Sequence, residues 1–350
     1  MAGWLDRAWY GNQSPLAPLS AVEWLFKRIA RNRRDAYLSG KRDVYRAPVP
    51  VIVVGNISVG GTGKTPFTLW LLELLQAQGY RPGVISRGYG AKAPYYPFEV
   101  KADSLAAEVG DEPLMMVQRS GCPLVVDPVR ANAAAHLLEL HDCDLIISDD
   151  GLQHYALGRD LEIAIVDAKR GLGNGRCLPV GPLREPPSRL DTIDYLVING
   201  AAQEQEQEAA LPAPEANSFY PEGSHRMLLQ PRPLRYLDGS AAALGPQRVH
   251  AIAGIGNPQR FFDTLALLGY EVIAHPFPDH RAFREQDLEF GDGLPLLMTE
   301  KDAVKCRAFA ADNRYYLPVN ARLSQPFVDD LLLHVKSLVA TYKDFRKTDG

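Results

Sequence analysis

The octapeptide Ser58-Val59-Gly60-Gly61-Thr62-Gly63-Lys64-Thr65 follows the apolar run Val49–Val54 and precedes a helical pattern. It matches the phosphate-loop spacing G-x-x-x-x-G-K-[ST] except at the first position, where Ser58 replaces glycine. Its glycines let backbone N–H groups curl around phosphate oxygens, and the helix that follows adds partial positive charge at its N-terminus. Lys64 is placed to reach β- and γ-phosphates, and the Thr65 hydroxyl to ligate Mg²⁺. A phosphate-bound metal also needs a carboxylate, and the apolar run Leu145–Ser148 ends in Asp149-Asp150. Such a pair can simply cap a strand end. Adjacent carboxylates repel, however, and a divalent cation relieves that cost, so Asp149 reads as the metal partner with Asp150 close to it.

Two other stretches look like nucleotide motifs and fail on spacing. Gly254-Ile255-Gly256-Asn257-Pro258-Gln259 starts like a dinucleotide fingerprint, but Gln259 fills its last position and Pro258 suits the first turn of a helix. Thr299-Glu300-Lys301-Asp302 is like a guanine-reading motif, yet its Lys and Asp are adjacent where that motif separates them by one residue. Adenine is therefore the preferred base.

The elements that must position these groups follow from periodicity. Short β-branched runs alternate with helical stretches from residue 49 onward, the pattern of a mostly parallel sheet covered by helices. Strands are predicted at Val49–Val54, Gly83–Ser86, Pro123–Asp127, Asp144–Ser148, Glu162–Val166 and Tyr195–Ile198. Helices are predicted at Thr65–Gln78, Glu112–Arg119 and Val129–His141. An acidic, Gln-rich stretch with prolines begins at Ala201. Beyond it the alternation resumes from Met227 and ends in an amphipathic helix over Gln325–Tyr342. The expected fold is α/β: a P-loop NTPase-like mostly parallel sheet domain over 47–200, a linker over 201–225, and a second, smaller α/β domain over 226–350.

At 350 residues, 46% hydrophobic and 23% charged, the chain has the size and balance of about two globular domains. Its net charge of −4 argues against a nucleic-acid partner, which would demand many cationic contacts. The four cysteines show no metal-site spacing and read as reduced thiols. Neither a signal peptide nor an apolar run of about 18 residues is present, so a secreted or membrane-spanning protein is not expected. Charge is uneven, with nine Lys/Arg against four Asp/Glu in residues 1–46, a net of +5 that leaves −9 for the rest. Ser20 to Glu23 fits a capping box, and Val22, Trp24, Leu25, Phe26 and Ile29 make this segment a basic amphipathic helix. It suits either an ordinary surface helix or one lying in an anionic headgroup layer.

Several blocks together resemble the tetraacyldisaccharide 4′-kinase family of lipid A biosynthesis. They are Val54-Gly55-Asn56 through Thr65-Pro66, Ser86-Arg87-Gly88-Tyr89-Gly90, Gly110-Asp111-Glu112-Pro113, Asp149 through His154, Gly173 through Arg176, Gly181 through Pro186, Ala253 through Gly256, and Met298 through Ala303. The resemblance runs from about residue 10 to residue 320. It implies an ATP- and Mg²⁺-dependent kinase acting on the 4′-hydroxyl of a tetraacylated glucosamine disaccharide 1-phosphate to give lipid IVA. It further implies a peripheral position on the cytoplasmic face of the inner membrane, which favours the docking role for residues 1–46.

The resemblance also implies roles. Asp111 becomes the base that accepts the hydroxyl proton, Glu112 a neighbour of the metal or its waters, and His280 a residue of the second domain that reaches across to assist Asp111. His154 and His275 compete for that last role. The 1-phosphate calls for guanidinium groups, with Arg184 first and Arg130 and Arg176 next, and with Gln153 and His154 lining the same cleft. A nucleotide-dependent switch or metallochaperone of the deviant P-loop class is the alternative. It would need a metal-ligand cluster or a guanine motif.

Overall fold

The apolar runs of the first half are buried on both sides, as strands inside a parallel sheet must be. In the computed structural model, which describes residues 7–11, 19–200 and 223–348, β1 (Val51–Gly55) lies at the centre of a nine-stranded sheet. Around it are β2 (Pro82–Ser86), β3 (Phe98–Val100), β4 (Leu124–Val126), β5 (Leu145–Asp149), β6 (Leu161–Asp167), β7 (Tyr195–Asn199), β8 (His225–Pro231) and, much later in the chain, β14 (Val319–Leu323). The order is β14-β8-β7-β6-β1-β5-β2-β4-β3, parallel except for β3 and β14 at the two edges. Helix α1 (Leu19–Leu38) precedes the sheet. Helices α2 (Lys64–Ala77), α3 (Ala106–Val109), α4 (Asp111–Ser120) and α5 (Arg130–Leu140) are interleaved with its strands.

Successive residues of β1 serve opposite faces. Ile52 and Val54 join Phe67, Leu71 and Leu75 of α2 in one core, while Val51 and Val53 join Ala133, Ala134 and Leu137 of α5 in the other. The second sheet has five strands, in the order β11 (Glu271–Pro276), β10 (Arg248–Ala253), β12 (Leu296–Thr299), β13 (Arg314–Leu317), β9 (Arg235–Tyr236). It carries α6 (Pro258–Leu267) and α7 (Glu300–Cys306).

The chain does not divide where the sequence reading divides it. Assigning 226–350 wholly to a second domain is corrected by the topology, because β8 pairs with β7 and β14 pairs with β8 in the first sheet. The final helix α8 (Gln325–Thr348) also returns to the first unit, burying Phe327, Leu331, Val335 and Val339 in the α2 core. Contiguity in sequence suggests a domain, whereas burial of apolar side chains decides it. Of the proposed linker, residues 201–222 lie outside the described residues.

Phe327 ties the C-terminal helix to this core. Its ring stacks on Trp70 at 6.0 Å and meets Tyr195 edge-on at 5.5 Å between centroids. Phe327→Ala should lower the unfolding free energy by about 3–5 kcal/mol, measured by urea titration. A loss under about 1 kcal/mol would mean that α8 is only loosely attached.

Candidate active site

Parallel strands send all their C-terminal ends to one edge of a sheet, and ligands bind where the connections diverge to either side. Here that point is β1, flanked by β5 and β6. Val54 of β1 lies opposite Asp149, the last residue of β5, so the loop that leaves β1 and the acids that end β5 emerge together. The loop bends through left-handed backbone at Gly60 (φ 109°) and Gly63 (φ 93°), and α2 begins at Lys64. Asn56 Nδ2 donates to the Thr62 hydroxyl at 3.3 Å, and Val59 N donates to Pro182 O at 2.8 Å. Ser58, where the motif has glycine, is buried and bridges to Leu183. The loop is thereby sewn to the segment that carries Arg184.

Lys64 Nζ lies 3.5 Å from Asp150 Oδ1, and Arg184 Nη1 lies 3.2 Å from Asp150 Oδ2. Burial opposes the charge on Asp150, but these two cations outweigh it and hold the carboxyl down at about 2. Asp150 also has a positive φ of 47°, uncommon for a residue other than glycine and typical of strained functional turns. Its neighbour Asp149 is buried. One of its oxygens accepts from Ser86 Oγ at 3.2 Å, and the other has no hydrogen-bond partner among the described residues. Burial first, then Glu112 and Asp150, push the Asp149 carboxyl above the usual range. A buried, half-unpartnered carboxylate beside two more carboxylates has the chemistry of a divalent-cation ligand.

The second sheet supplies the opposite wall. Asp111 begins α4 and is buried. Its Oδ2 lies 3.2 Å from His280 Nδ1, 3.8 Å from Lys305 Nζ and 3.9 Å from Lys301 Nζ. Burial works against the Asp111 charge, and His280, Lys301 and Lys305 reverse the balance and hold its carboxyl below the usual range. His280 has a left-handed φ of 60°, and its ring tilts against Tyr89 at 5.4 Å. Its pKa is raised, chiefly by the bond to Asp111. The rival histidines lie elsewhere: His275 pairs with His250 at 2.9 Å, and His154 is pushed down to about 4 by burial and by Arg130 and Arg87.

Lys301 is a residue whose part in the site sequence spacing did not expose. Its ammonium lies 2.8 Å from Glu112 and 3.1 Å from Asp279, and so joins α4 to the His280 loop. The next acid, Asp302, turns inward to accept from Thr299 Oγ1 and Gly254 N, which explains why Lys and Asp stand adjacent here.

The arginines separate. Arg184 is at the phosphate loop. Arg130 is buried at the start of α5, donating to the carbonyls of Asp127 and Asp149 at 2.9 and 3.1 Å, so its guanidinium braces the end of β5. Arg176 is engaged elsewhere, with Nε donating to Glu23 at 2.7 Å and Nη2 to Ser20 at 3.2 Å. Glu23 is therefore not a capping-box acceptor. It is buried, held down to about 2 by Arg176 and Lys27 against the cost of burial, and also accepts from Cys177 N at 2.9 Å. Gln153 donates to Asn56 O at 3.2 Å and to Glu185 at 3.0 Å beneath the loop. On α1, Val22 is 50%, Trp24 62%, Leu25 50% and Ile29 58% exposed, whereas Phe26 turns inward against the α5 core.

A phosphate loop after the central strand of a mostly parallel sheet, with paired acids ending the neighbouring strand, defines a phosphate-loop nucleotide-binding α/β protein. Residues 15–336 match the family described as Tetraacyldisaccharide-1-P 4′-kinase, and the chain belongs to that family. A relative named Tetraacyldisaccharide 4′-kinase in Pseudomonas aeruginosa strain PAO1 is 53% identical over 326 residues, 92% of this chain and 93% of the relative. Another in Pseudomonas putida strain W619 is 52% identical over 321 residues, 92% of each chain. Among solved structures, LpxK from Aquifex aeolicus in complex with ATP matches with a TM-score of 0.75 at 29% identity, covering 91% of this chain and 98% of that one.

The Asp111–His280 pair makes stability depend on pH with a definite sign. The raised His280 contributes fully below the ordinary histidine value of about 6.5, and its contribution is lost as pH rises through the raised value. The lowered Asp111 contributes above about 4 and is lost as pH falls through its depressed value. Wild type should therefore exceed His280→Gln in melting temperature most at about pH 5–6, with the gap closing above about pH 7. A gap that does not vary with pH would show that no charge is shared across the pair.

Proposed function

We propose that the chain transfers the γ-phosphoryl group of ATP to the 4′-hydroxyl of a tetraacylated glucosamine disaccharide 1-phosphate, forming lipid IVA at the cytoplasmic face of the inner membrane. The observation that carries this reading is the presence of two charged pairs in a chain of this family: Lys64 with Asp150 at the phosphate loop of the first sheet, and Asp111 with His280 between the two sheets. A nucleotide-dependent switch would leave the second pair without a task, since a base matters only where a hydroxyl must lose its proton.

The loop 58–65 cradles the ATP phosphates. Lys64 neutralises charge on the transferring group, and Asp150 keeps Lys64 and Arg184 aligned. Asp149, Thr65 and Glu112 have the donor chemistry to hold Mg²⁺, which when bound would neutralise β- and γ-oxygens. Asp111 accepts the hydroxyl proton. Its low basicity is tolerable, because phosphoryl transfer through a loose transition state demands little proton removal before the bond to phosphorus forms. His280 orients the carboxylate and stabilises its charge, and Lys301 anchors the loop that bears His280. Arg184, with Gln153 and His154 behind it, faces the substrate phosphate.

The exposed apolar face of α1 seats the enzyme on an anionic membrane surface, with the basic residues of 1–46 toward the headgroups. The salt bridge between Glu23 and Arg176 makes α1 rigid with the 173–186 loop, so docking would also orient the substrate loop. Basic residues on one helix with the exposed Trp24, Val22, Leu25 and Ile29 support this use.

Incubation with Mg-ATP and the disaccharide 1-phosphate lipid should yield a bisphosphorylated product, and failure to do so would overturn the assignment. Lys64→Ala should lower kcat about 100- to 1,000-fold. Asp111→Asn should lower kcat at least about 100-fold with little change in ATP affinity; an equal loss of nucleotide binding would make Asp111 a binding residue. Trp24→Glu with Ile29→Glu, both on exposed positions, should reduce sedimentation with phosphatidylglycerol vesicles and leave ATP binding unchanged. Unaltered vesicle association would return α1 to the role of an ordinary surface helix.

A further inference from the structure

The phosphate loop is held from below by a side chain of β7 that no motif marks. Asn199, the last residue of β7, is buried, and its Nδ2 donates to the carbonyl of Thr62 at 2.9 Å. The amide packs so closely under the loop that a Cβ on Gly63 would fall 2.1 Å from Nδ2. Glycine is thus required at 63 for space as well as for its left-handed φ. The other end of the same amide is also engaged: Arg260 Nη2, from α6 of the second sheet, donates to Asn199 Oδ1 at 3.1 Å. Arg260 Nη1 lies 3.6 Å from Asp167 Oδ2, and Asp167 is the register partner of Asn199 in the pair β6–β7.

The chemistry of these partners allows only one orientation of the amide. Guanidinium can only donate and a carbonyl can only accept, so Oδ1 must face Arg260 and Nδ2 must face Thr62. The peptide Thr62–Gly63 is trans, as the cis bonds lie elsewhere. In a trans peptide the C=O and N–H point in opposite directions. Tying Thr62 O to Asn199 therefore directs the Gly63 N–H away from β7. Without Arg260, rotation of the amide by half a turn would set Oδ1 against Thr62 O, two acceptors in contact, and release the peptide.

We propose that Asn199 and Arg260 are positioning residues of the phosphate loop: Arg260 fixes the Asn199 amide, and that amide holds the Thr62–Gly63 peptide with its N–H presented to a nucleotide phosphate. Nucleotide affinity then depends on the seating of α6, so the second sheet contributes to ATP binding as well as to the base. A second contact follows the same path. Arg170 Nη2 donates to Gly256 O at 3.1 Å, and Gly256 lies against Gly61, where a Cβ would come 3.0 Å from Gly61 N. The inference rests on reading loop 58–65 as the nucleotide site.

A double-mutant cycle on the full chain tests it, with adenylyl imidodiphosphate and Mg²⁺ titrated calorimetrically. Arg260→Ala and Asn199→Ala should each weaken binding about tenfold. In the Asn199→Ala background, Arg260→Ala should add less than about twofold. The near-isosteric Asn199→Asp, which still accepts from Arg260 but cannot donate to Thr62 O, should weaken binding at least as much as Asn199→Ala. In turnover, each variant should raise the KM for ATP by more than it lowers kcat. Equal factors for Arg260→Ala in both backgrounds would mean that Arg260 acts on the nucleotide by itself, and wild-type affinity in Asn199→Asp would remove Asn199; either overturns the relay. Absence of binding by the wild-type chain would instead refute the nucleotide site on which the relay depends.

Discussion

Everything at this site depends on the parallel register of β1 with its two neighbours. Because β5, β1 and β6 run the same way and are buried on both faces, their C-terminal ends must emerge side by side at one edge of the sheet. The phosphate loop leaves β1 there and the paired aspartates leave β5 there, while Asp167 and Asn199 leave β6 and β7. No side chain in the site could hold its place if the register slipped by a residue, since a slip turns every core residue of a strand to the opposite face.

Concentrating so many charges in one cleft carries a desolvation cost, and the arrangement offsets it by alternating sign. Asp150 stands between Lys64 and Arg184, Asp111 between His280 and two lysines, and Lys301 between Glu112 and Asp279. Asp149 is the exception, with carboxylate neighbours and no ion pair among the described residues. A carboxylate left this way in an otherwise balanced cleft has the chemistry of a cation ligand.

The two sheets share this cleft unequally. The nine-stranded sheet supplies the phosphate loop, Asp111 and the acids of β5, and the five-stranded sheet brings His280, Lys301 and Arg260 to them. α1 is bound to the same assembly through Glu23 and Arg176, which places its exposed apolar face in fixed relation to the 173–186 loop. Arg119 on α4 strengthens the join, donating to Glu300 of α7 at 2.9 Å and to Val319 O at 2.8 Å.

Much of this was legible in the residues alone. Local propensity and periodicity are short-range properties, so strands β1, β2, β4, β5, β6 and β7 of the first sheet, helices α2, α4 and α5, the phosphate loop and the acids of Asp149-Asp150 could be read from spacing, and the pairing of Asp111 with His280 followed from resemblance to the family. What spacing could not carry were choices made by burial and by partners distant in the chain. It did not show that β14 and α8 return to the first sheet, that Phe26 turns inward while Trp24 stays out, that Arg176 serves Glu23, or that Lys301 joins α4 to the His280 loop. Asn199 and Arg260 are 61 residues apart and belong to no motif. Sequence determined which chemistry the chain could perform; the tertiary structure decided which charges meet, because an ion pair or a buried amide is defined by three-dimensional neighbours that one-dimensional spacing does not encode.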